Sequence, residues 1–371
     1  MAQICHPPRT LYRLTRLLSQ ARQMVMVPCS EGKRLRWESR IERKLFTPEM
    51  DLGQRNCTSM TFKPSIAFRA KAKAGEAMVE AFLKKNGKQL GVNLHTHQGP
   101  PLISWAKIGS DKKETLVLIH GFGDRKESFY FISEVLKEKL NLIIPDLPGF
   151  GNSGMDPQLV YSLDNYTDWF GRFIEQTGLD SFHLAGCSMG GAIAVKLAAQ
   201  FPSKVKSLSL VDPAGFYLPG KHSVYDEALA GSNIFHINSP GDFETLQSRI
   251  FRKSPPLPAC VREYMILKAI GDRQWFAKIF DELMDMESIK SGKISLEQAS
   301  LNHLCKDMTM PVMLFWGRHD SLLPWETAPF VNELFPRSQV HIFDEYGHAP
   351  HLEGPRKLAE RMLDFIRDEK I

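Results

Sequence analysis

A serine between two glycines constrains the fold more than any other feature of this 371-residue chain. Residues 186–190, of sequence GCSMG, follow an apolar run that is typical of a buried strand and precede a small-residue run, 191–199, that favours a helix. This G-x-S-x-G pattern indicates a sharp turn from strand to helix with the serine at its apex. Glycines suit the turn because it leaves no room for Cβ atoms. The helix N-terminus favours developing negative charge, so Ser188 is predicted to be a nucleophile.

Strand-like and helical segments alternate through most of the chain. Short apolar runs are typical of buried strands, and helix-length segments separate most of them. This alternation predicts an α/β fold, with a mostly parallel sheet and helices on both faces. The predicted buried strands are residues 116–119, 142–144, 182–185, 205–211, 312–315 and 340–343.

Residues 215–305 interrupt the alternation, because they hold several helical patterns and no pair of strands. We interpret them as a helical cap over the carboxyl edge of the sheet, where open α/β sheets bind ligands. Residues 76–214 and 306–371 then form the core. Within the cap, Trp275 and Phe276 belong to an apolar stripe that is either ordinary core or the lining of a substrate pocket.

Residues 1–75 differ from the rest of the chain in charge. They hold 15 Lys and Arg against 5 Asp and Glu, whereas the remaining residues carry a net charge of −5. We interpret them as a basic, poorly ordered N-terminal extension. Three alternatives stay open: an organelle-targeting segment, an amphipathic helix on an anionic membrane surface, or an extension without function ahead of a natural start near Met60. Because the body is not basic, no nucleic-acid partner is expected.

Two further features bear on the compartment. The chain contains no run of 18 apolar residues, so no membrane span is expected. Its six cysteines are scattered without a C-x-x-C pair, which is typical of reduced thiols rather than a disulfide framework. We therefore expect a cytoplasmic protein. The basic extension leaves peripheral membrane contact and organelle targeting open.

A serine nucleophile needs a base that takes its proton and an acid that orients the base. In this architecture the chain order is serine, then acid, then histidine. Asp320 follows the strand-like run 312–315, and His348 follows the run 340–343. Both then lie on loops at the same sheet edge as Ser188. We predict that Asp320 is the orienting acid and His348 the base.

Two backbone N–H groups are predicted to form an oxyanion hole, which binds the oxygen of a tetrahedral intermediate. One belongs to Met189, directly after the nucleophile, and the other to Phe122, in the loop after the first long buried strand. Gly121 and Gly123 flank Phe122. They would let the substrate approach the backbone closely, so both are predicted to contact it.

Together these motifs resemble the α/β-hydrolase superfamily over residues ~100–371. Within the superfamily the chain looks most like bacterial esterases and lipases of the group related to monoacylglycerol lipases. The resemblance implies Ser188 as nucleophile, Asp320 as acid and His348 as base, with the N–H groups of Phe122 and Met189 as oxyanion donors. It rests on residues 120–126 (HGFGDRK), 145–153 (PDLPGFGNS), 186–192 (GCSMGGA), 210–216 (LVDPAGF) and 316–320 (WGRHD).

Other polar residues near these motifs have simpler interpretations. Asp212 also follows a strand, and some members of the fold place their acid there, but Asp320 fits the late position. Asp212 is therefore predicted to be a turn or packing residue. Asp146 is expected to satisfy the backbone of its own turn, and His120 to fix a loop. Cys187 is expected to pack as a small apolar side chain.

No metal and no cofactor are expected. His95, His97 and His319 have no further ligands at a credible spacing. A serine, a histidine and an aspartate can perform acyl transfer with their own side chains.

These observations predict a carboxylic-ester hydrolase that forms an acyl-enzyme at Ser188, with a small-molecule or lipid ester as its partner. Monoacylglycerols and other short- to medium-chain esters are the expected substrates, a step that rests on the resemblance and the apolar cap. Two alternatives are a hydrolase of carbon–carbon bonds in ring-cleavage products and a non-catalytic ligand-binding protein of the same fold. A basic group in the pocket would favour the first, and an apolar tunnel favours esters.

Overall fold

An eight-stranded sheet forms the centre of the computed structural model, which describes residues 62–367. The strand order is β1-β2-β4-β3-β5-β6-β7-β8, with β1 and β2 antiparallel to their neighbours and the other strands parallel. This confirms the predicted fold class. The strands are β1 Asn93–His97, β2 Ile103–Ile108, β3 Thr115–Ile119, β4 Asn141–Pro145, β5 Phe182–Cys187, β6 Val205–Val211, β7 Val312–Gly317 and β8 Ser338–Phe343.

Helices cover both faces of the sheet. On one face α3 and α4 pack against the central strands, and on the other face α2 and α12 do so. Each helix buries an apolar stripe against the apolar strands, as a two-sided parallel sheet requires. The helices outside the β6–β7 interval are α1 Ile66–Leu90, α2 Tyr130–Leu136, α3 Leu163–Thr177, α4 Met189–Gln200, α10 Thr327–Leu334, α11 Pro350–Glu353 and α12 Pro355–Arg367, with a 3₁₀ turn at Lys126–Phe129.

The interval between β6 and β7 is helical, and no strand occurs in it. The longest helix of this interval, Ala259–Leu283, has 25 residues and contains Gly271. A Cβ at Gly271 would meet no atom within 4 Å, so this glycine does not mark a close packing contact that would end the helix. The helices are α5 Val224–Leu229, α6 Pro240–Ile250, α7 Ala259–Leu283, α8 Met286–Lys290 and α9 Leu296–Ala299, followed by a 3₁₀ turn at Asn302–Asp307. We keep the name cap for residues 215–305, and the division into core, cap and extension remains our interpretation.

Helix α1 begins at Ile66, so the proposed boundary between extension and core at residue 75 falls inside it. Ser65 caps its N-terminus by accepting a hydrogen bond from the Phe68 N–H at 3.1 Å. The helix packs on α7 at Gly75, where a Cβ would overlap the backbone carbonyl of Cys260. Close packing against the cap helix α7 thus stabilises the N-terminal part of α1. Residues 1–61, which hold most of the predicted basic extension, lie outside the described residues.

The sequence predicts no membrane-spanning segment, and the helices of the structure can be compared with this prediction. Within residues 62–367, no helix is both long enough and apolar enough to cross a membrane.

A buried ion pair joins the loops that follow β3 and β4. Lys126 and Asp146 are both fully buried, and the Lys126 Nζ donates to Asp146 Oδ2 at 2.6 Å. The backbone N–H groups of Lys126 and Asn152 also donate to this carboxylate, at 2.7 and 2.8 Å. Nearby, the Leu147 N–H donates to His120 Nε2 at 2.9 Å. Asp146 and His120 therefore fix these loops, as the sequence predicted.

We expect Lys126→Met to lower the free energy of unfolding by about 3–5 kcal/mol, because it leaves the Asp146 carboxylate buried without its cation. The matched control is Lys206→Met, whose partner Glu114 lies at 2.7 Å in a partly exposed pair. Loss of such a pair typically lowers stability by less than about 1 kcal/mol. Urea unfolding of both variants measures the difference, and equal losses would contradict the prediction.

Candidate active site

Ser188 lies at the apex of the turn that joins β5 directly to α4. Its φ of 52° and ψ of −120° place a non-glycine residue in a strained conformation. Two hydrogen bonds hold it there: the Ser188 N–H donates to the Val211 carbonyl, and the Ser188 carbonyl accepts from the Ala214 N–H, each at 2.9 Å. The neighbouring strand β6 and its following loop therefore stabilise the turn that presents the hydroxyl.

The two glycines of the motif are required by backbone contacts. A Cβ at Gly186 would overlap the carbonyl of Gly190. A Cβ at Gly190 would overlap the carbonyl of Ile119, the last residue of β3. The N-terminus of α4 thus lies directly against the end of β3, closer than any side chain would allow.

Asp320 and His348 meet as the sequence predicted. The His348 Nδ1 lies 2.6 Å from Asp320 Oδ2, and both side chains are buried. Asp320 Oδ1 accepts from the N–H groups of Leu322 and Leu323 at 2.8 and 2.9 Å. Because Nδ1 donates to the carboxylate, Nε2 is left as the basic nitrogen. His348 and Ser188 line the same pocket.

The loop that carries His348 is tied to the cap. The His348 N–H donates to the carbonyl of Ile250, the last residue of α6, at 2.7 Å. Glu353 accepts from the N–H groups of Gly347, Arg252 and Lys253 at 2.7, 2.9 and 3.3 Å. Burial raises the pKa of the Glu353 carboxyl. These bonds hold the base and residues 250–253 together.

Phe122 and Met189 also lie at the pocket. Among residues 62–367, neither backbone N–H has a hydrogen-bond acceptor. Gly121 packs against Ser188, because a Cβ there would lie 3.2 Å from Ser188 Cβ. Gly123 adopts a left-handed φ of 70°. Two unpaired donors beside Ser188 are the arrangement that an oxyanion hole needs.

The pocket itself is apolar. It spans about 840 Å³, a volume that includes the part open to solvent. Residues 214–217 after β6, helix α4 and the cap helices α5, α7 and α9 form most of its wall. Tyr225 contributes a hydroxyl that accepts from the Gly215 N–H at 2.8 Å, and burial raises the pKa of this phenol to about 12. The apolar lining includes Ala192, Phe235, Phe280, Leu283, Met284 and Leu296.

The structure does not place Trp275 and Phe276 on the pocket wall. Trp275 Nε1 donates to the Gly149 carbonyl at 2.8 Å, and the Phe276 ring packs on Phe122 with centroids 5.6 Å apart. Both therefore attach α7 to the loops of the core. The pocket is lined instead by the last turn of the same helix, through Phe280 and Leu283. Gly121 and Gly123 likewise lie beside the lining residue Phe122 rather than on the wall.

Three groups of the kind that ligate metals meet in the described part of the chain. One ligand atom from each of Asp212, Asp320 and His348 lies within 4.8 Å of the others. His348 already uses Nδ1 to bind Asp320, which accounts for this contact without a metal. The expectation of no metal and no cofactor stays a prediction.

Cys187 is buried behind the nucleophile. Its Sγ lies 3.6 Å from His351 Nδ1, and burial raises the pKa of the thiol well above its ordinary value. A thiol held neutral is a poor nucleophile. This agrees with the expectation that Cys187 packs as a small side chain.

The chain belongs to the alpha/beta hydrolase fold family. The model of this family matches residues 114–244 and 267–355, which include every predicted catalytic and oxyanion residue. The match confirms the superfamily that the motifs suggested.

Relatives and solved structures agree with this assignment. The chain is similar to Lipase 3 of Moraxella sp. (strain TA144), with 33% identity over 68% of this chain and 77% of the relative. It is also similar to monoacylglycerol lipase abhd6-B of Xenopus laevis, with 28% identity over 68% of this chain and 75% of the relative. The crystal structure of a membrane phospholipase A, described as a bacterial virulence factor, superposes with a TM-score of 0.73 and 28% identity, covering 82% of this chain and 96% of that one.

We expect Gly190→Ala to destabilise the protein by more than about 2 kcal/mol, because the new Cβ overlaps backbone that cannot rotate away. Gly271→Ala is the matched control. This helical position has open space, so alanine should stabilise it by up to about 1 kcal/mol. Urea midpoints measure both changes, and an unaltered midpoint for Gly190→Ala would contradict the backbone contact.

Proposed function

We propose that this protein is a serine hydrolase that cleaves carboxylic esters of lipids through an acyl-enzyme at Ser188. One observation carries the proposal: a buried Asp320–His348 pair, joined at 2.6 Å, lines the same apolar pocket as a serine on a strained strand–helix turn. Membership of the hydrolase family and relatives that are named lipases support it.

The proposed reaction begins with proton transfer. His348 Nε2 takes the proton of Ser188 Oγ, which attacks the ester carbonyl carbon. The N–H groups of Phe122 and Met189 bind the resulting oxyanion, and losing one such donor typically weakens transition-state binding by about 2.7–4 kcal/mol. His348 then gives its proton to the leaving alkoxide, and an alcohol departs from the acyl-enzyme.

Deacylation uses the same groups in reverse. His348 removes a proton from water, and the hydroxide attacks the acyl carbon. The second oxyanion collapses, Ser188 Oγ recovers the proton from His348, and the fatty acid is released. Asp320 holds the imidazole in one tautomer and stabilises its cationic form throughout. No step requires a cofactor.

The pocket supports an aliphatic acyl group as the part of the substrate that is bound. Apolar side chains from the loop after β6, from α4 and from the cap helices α5, α7 and α9 form most of its wall, and no lysine or arginine lies among the lining residues that the structure describes. A dienoate substrate of a carbon–carbon hydrolase would need a cation for its carboxylate, so the ester is favoured. The names of the relatives point to lipids and monoacylglycerols, which we propose as the substrate class here.

Contact with a membrane surface fits a lipid substrate and remains part of the proposal. The basic segment that would provide it lies within residues 1–61, outside the described residues. A cytoplasmic location likewise stays a prediction.

Ser188→Ala should lower kcat for p-nitrophenyl butyrate by about 10⁴-fold or more, because the acyl-enzyme cannot form. The wild type should react with a fluorophosphonate probe and the variant should not, as mass spectrometry of the labelled peptide would show.

The matched control is Ser300→Ala, at another serine of the pocket wall, whose hydroxyl donates to the Glu297 carbonyl. It should keep both labelling and turnover. If Ser188→Ala retained turnover, or the probe left Ser188 unmodified in the wild type, the protein would not be a serine hydrolase of this kind.

Leu283→Trp should shift ester preference toward short acyl chains, because the larger ring occupies pocket volume. We expect kcat/KM for p-nitrophenyl decanoate to fall at least about 10-fold more than for the butyrate ester, since each buried methylene contributes about 0.8 kcal/mol. Leu267→Trp lies on the same helix away from the pocket wall and serves as the control. An equal fall for both esters would show that the acyl chain binds elsewhere.

A further inference from the structure

Asp212 is a buried carboxyl group that the proposed mechanism does not use. It follows β6 in a left-handed conformation with φ of 43°, and its side chain has no exposure to solvent. The Gly317 N–H donates to its Oδ1 at 2.8 Å. Its Oδ2 is buried, and within residues 62–367 no N–H or hydroxyl group donates to it. A packing residue in a turn would not need an unpaired buried oxygen, which is costly.

The neighbours of Asp212 are the predicted acid and base. One carboxylate oxygen of Asp212, one of Asp320 and a ring nitrogen of His348 all lie within 4.8 Å of one another. Two carboxyl groups this close, in a buried site, cannot both carry a charge at low cost. Burial first, and the charge of Asp320 second, raise the pKa of Asp212 well above its ordinary value, and Glu353 adds to the effect. Burial also raises the pKa of the nearby Cys187 thiol.

Hydrogen bonds indicate which of the two carboxyl groups keeps the proton. Asp320 accepts three N–H bonds, from Leu322, Leu323 and His348, whereas Asp212 accepts one from Gly317. Each donor stabilises the charged form of the group that accepts it. Of the two carboxyl groups, Asp320 is therefore the one that carries the negative charge more easily, and Asp212 is the one that keeps its proton.

We propose that Asp212 is a positioning residue, which keeps its proton and donates it as a hydrogen bond to Asp320. This inference rests on the proposed function of Asp320 and His348. The extra bond would fix the carboxylate that orients the imidazole, in addition to the backbone donors Leu322 and Leu323. The triad acid is then held by donors from two loops, those after β6 and β7.

Two substitutions of similar size separate this role from packing. Asp212→Asn keeps an oxygen that accepts from Gly317 and replaces the O–H by an N–H that donates to Asp320. Asp212→Leu keeps the bulk and removes both bonds. With p-nitrophenyl butyrate, we expect kcat of the asparagine variant to stay within about 3-fold of wild type and that of the leucine variant to fall about 10-fold or more, with KM little changed in both.

The pH dependence tests the charge of Asp212 directly. If the group is neutral, Asp212→Asn removes no charge and the acid limb of kcat/KM keeps its midpoint. If it were an anion, the substitution would remove a negative charge beside His348, destabilise the imidazolium and move the acid limb to lower pH. A downward shift of about one pH unit would overturn the proposal.

A spectroscopic readout keeps the test independent of turnover. The proton between His348 Nδ1 and Asp320 should give a downfield ¹H NMR signal that disappears in His348→Gln. We expect the signal to be retained in Asp212→Asn and to shift or broaden in Asp212→Leu. An asparagine variant as impaired as the leucine variant, or a leucine variant that matches wild type in kcat and in this signal, would overturn the proposal.

The two proposals can fail separately. If the wild-type enzyme hydrolysed no ester, the proposed function would fall, and the NMR signal of the folded protein would still test the bond to Asp320. If the leucine variant did not fold, the pH profile and the signal of the asparagine variant would decide.

Discussion

A contact between two backbones fixes the geometry on which the whole site depends. Gly190, in the first turn of α4, lies directly against the Ile119 carbonyl at the end of β3. The first turn of α4 carries the N–H of Met189. The end of β3 leads into the loop that carries the N–H of Phe122. Because no side chain separates them, the two donors have a fixed spacing that does not depend on rotamers. The same contact sets the position of Ser188 relative to both.

Two buried carboxylates near this contact, Asp146 and Asp320, each accept three hydrogen bonds. Asp146 accepts bonds from the side chain of Lys126 and from two backbone N–H groups, which fixes the loop behind Phe122. Asp320 accepts hydrogen bonds from two backbone N–H groups of its own turn as well as from His348. Charges in a low-dielectric interior are costly unless they are paired, so these pairs also rule out many alternative loop conformations. Apolar packing fixes the sheet and its helices, and the paired charges fix the loops.

The sequence predicted best where chemistry and backbone geometry impose the same residues. The strand–turn–helix around Ser188 and the late loops with Asp320 and His348 were predictable because tight turns need glycines and the order of the groups is fixed by topology. Edge strand β1 was missed because its side chains are mostly exposed and show no apolar alternation. Trp275 and Phe276 were assigned to the pocket because composition marks an apolar stripe and does not say which turn of a long helix faces the cavity.

Asp212 shows a different limit of sequence-based prediction. Its position after β6 suggested a turn residue, and nothing in the local sequence reveals that Asp320, 108 positions later, comes close to it. The effect of one carboxyl group on another depends on burial and on which hydrogen bonds each receives. Those quantities exist only after the chain has folded.

The hydrogen bonds between the His348 loop and residues 250–253 make the position of this histidine depend on the cap as well as on the sheet. His348 is held in part by the end of α6. A rearrangement that carried Ile250 away from the sheet would break the hydrogen bond between the Ile250 carbonyl and the His348 N–H. A substitution that displaced residues 250–253 would therefore displace His348 as well, even if every strand of the sheet kept its place.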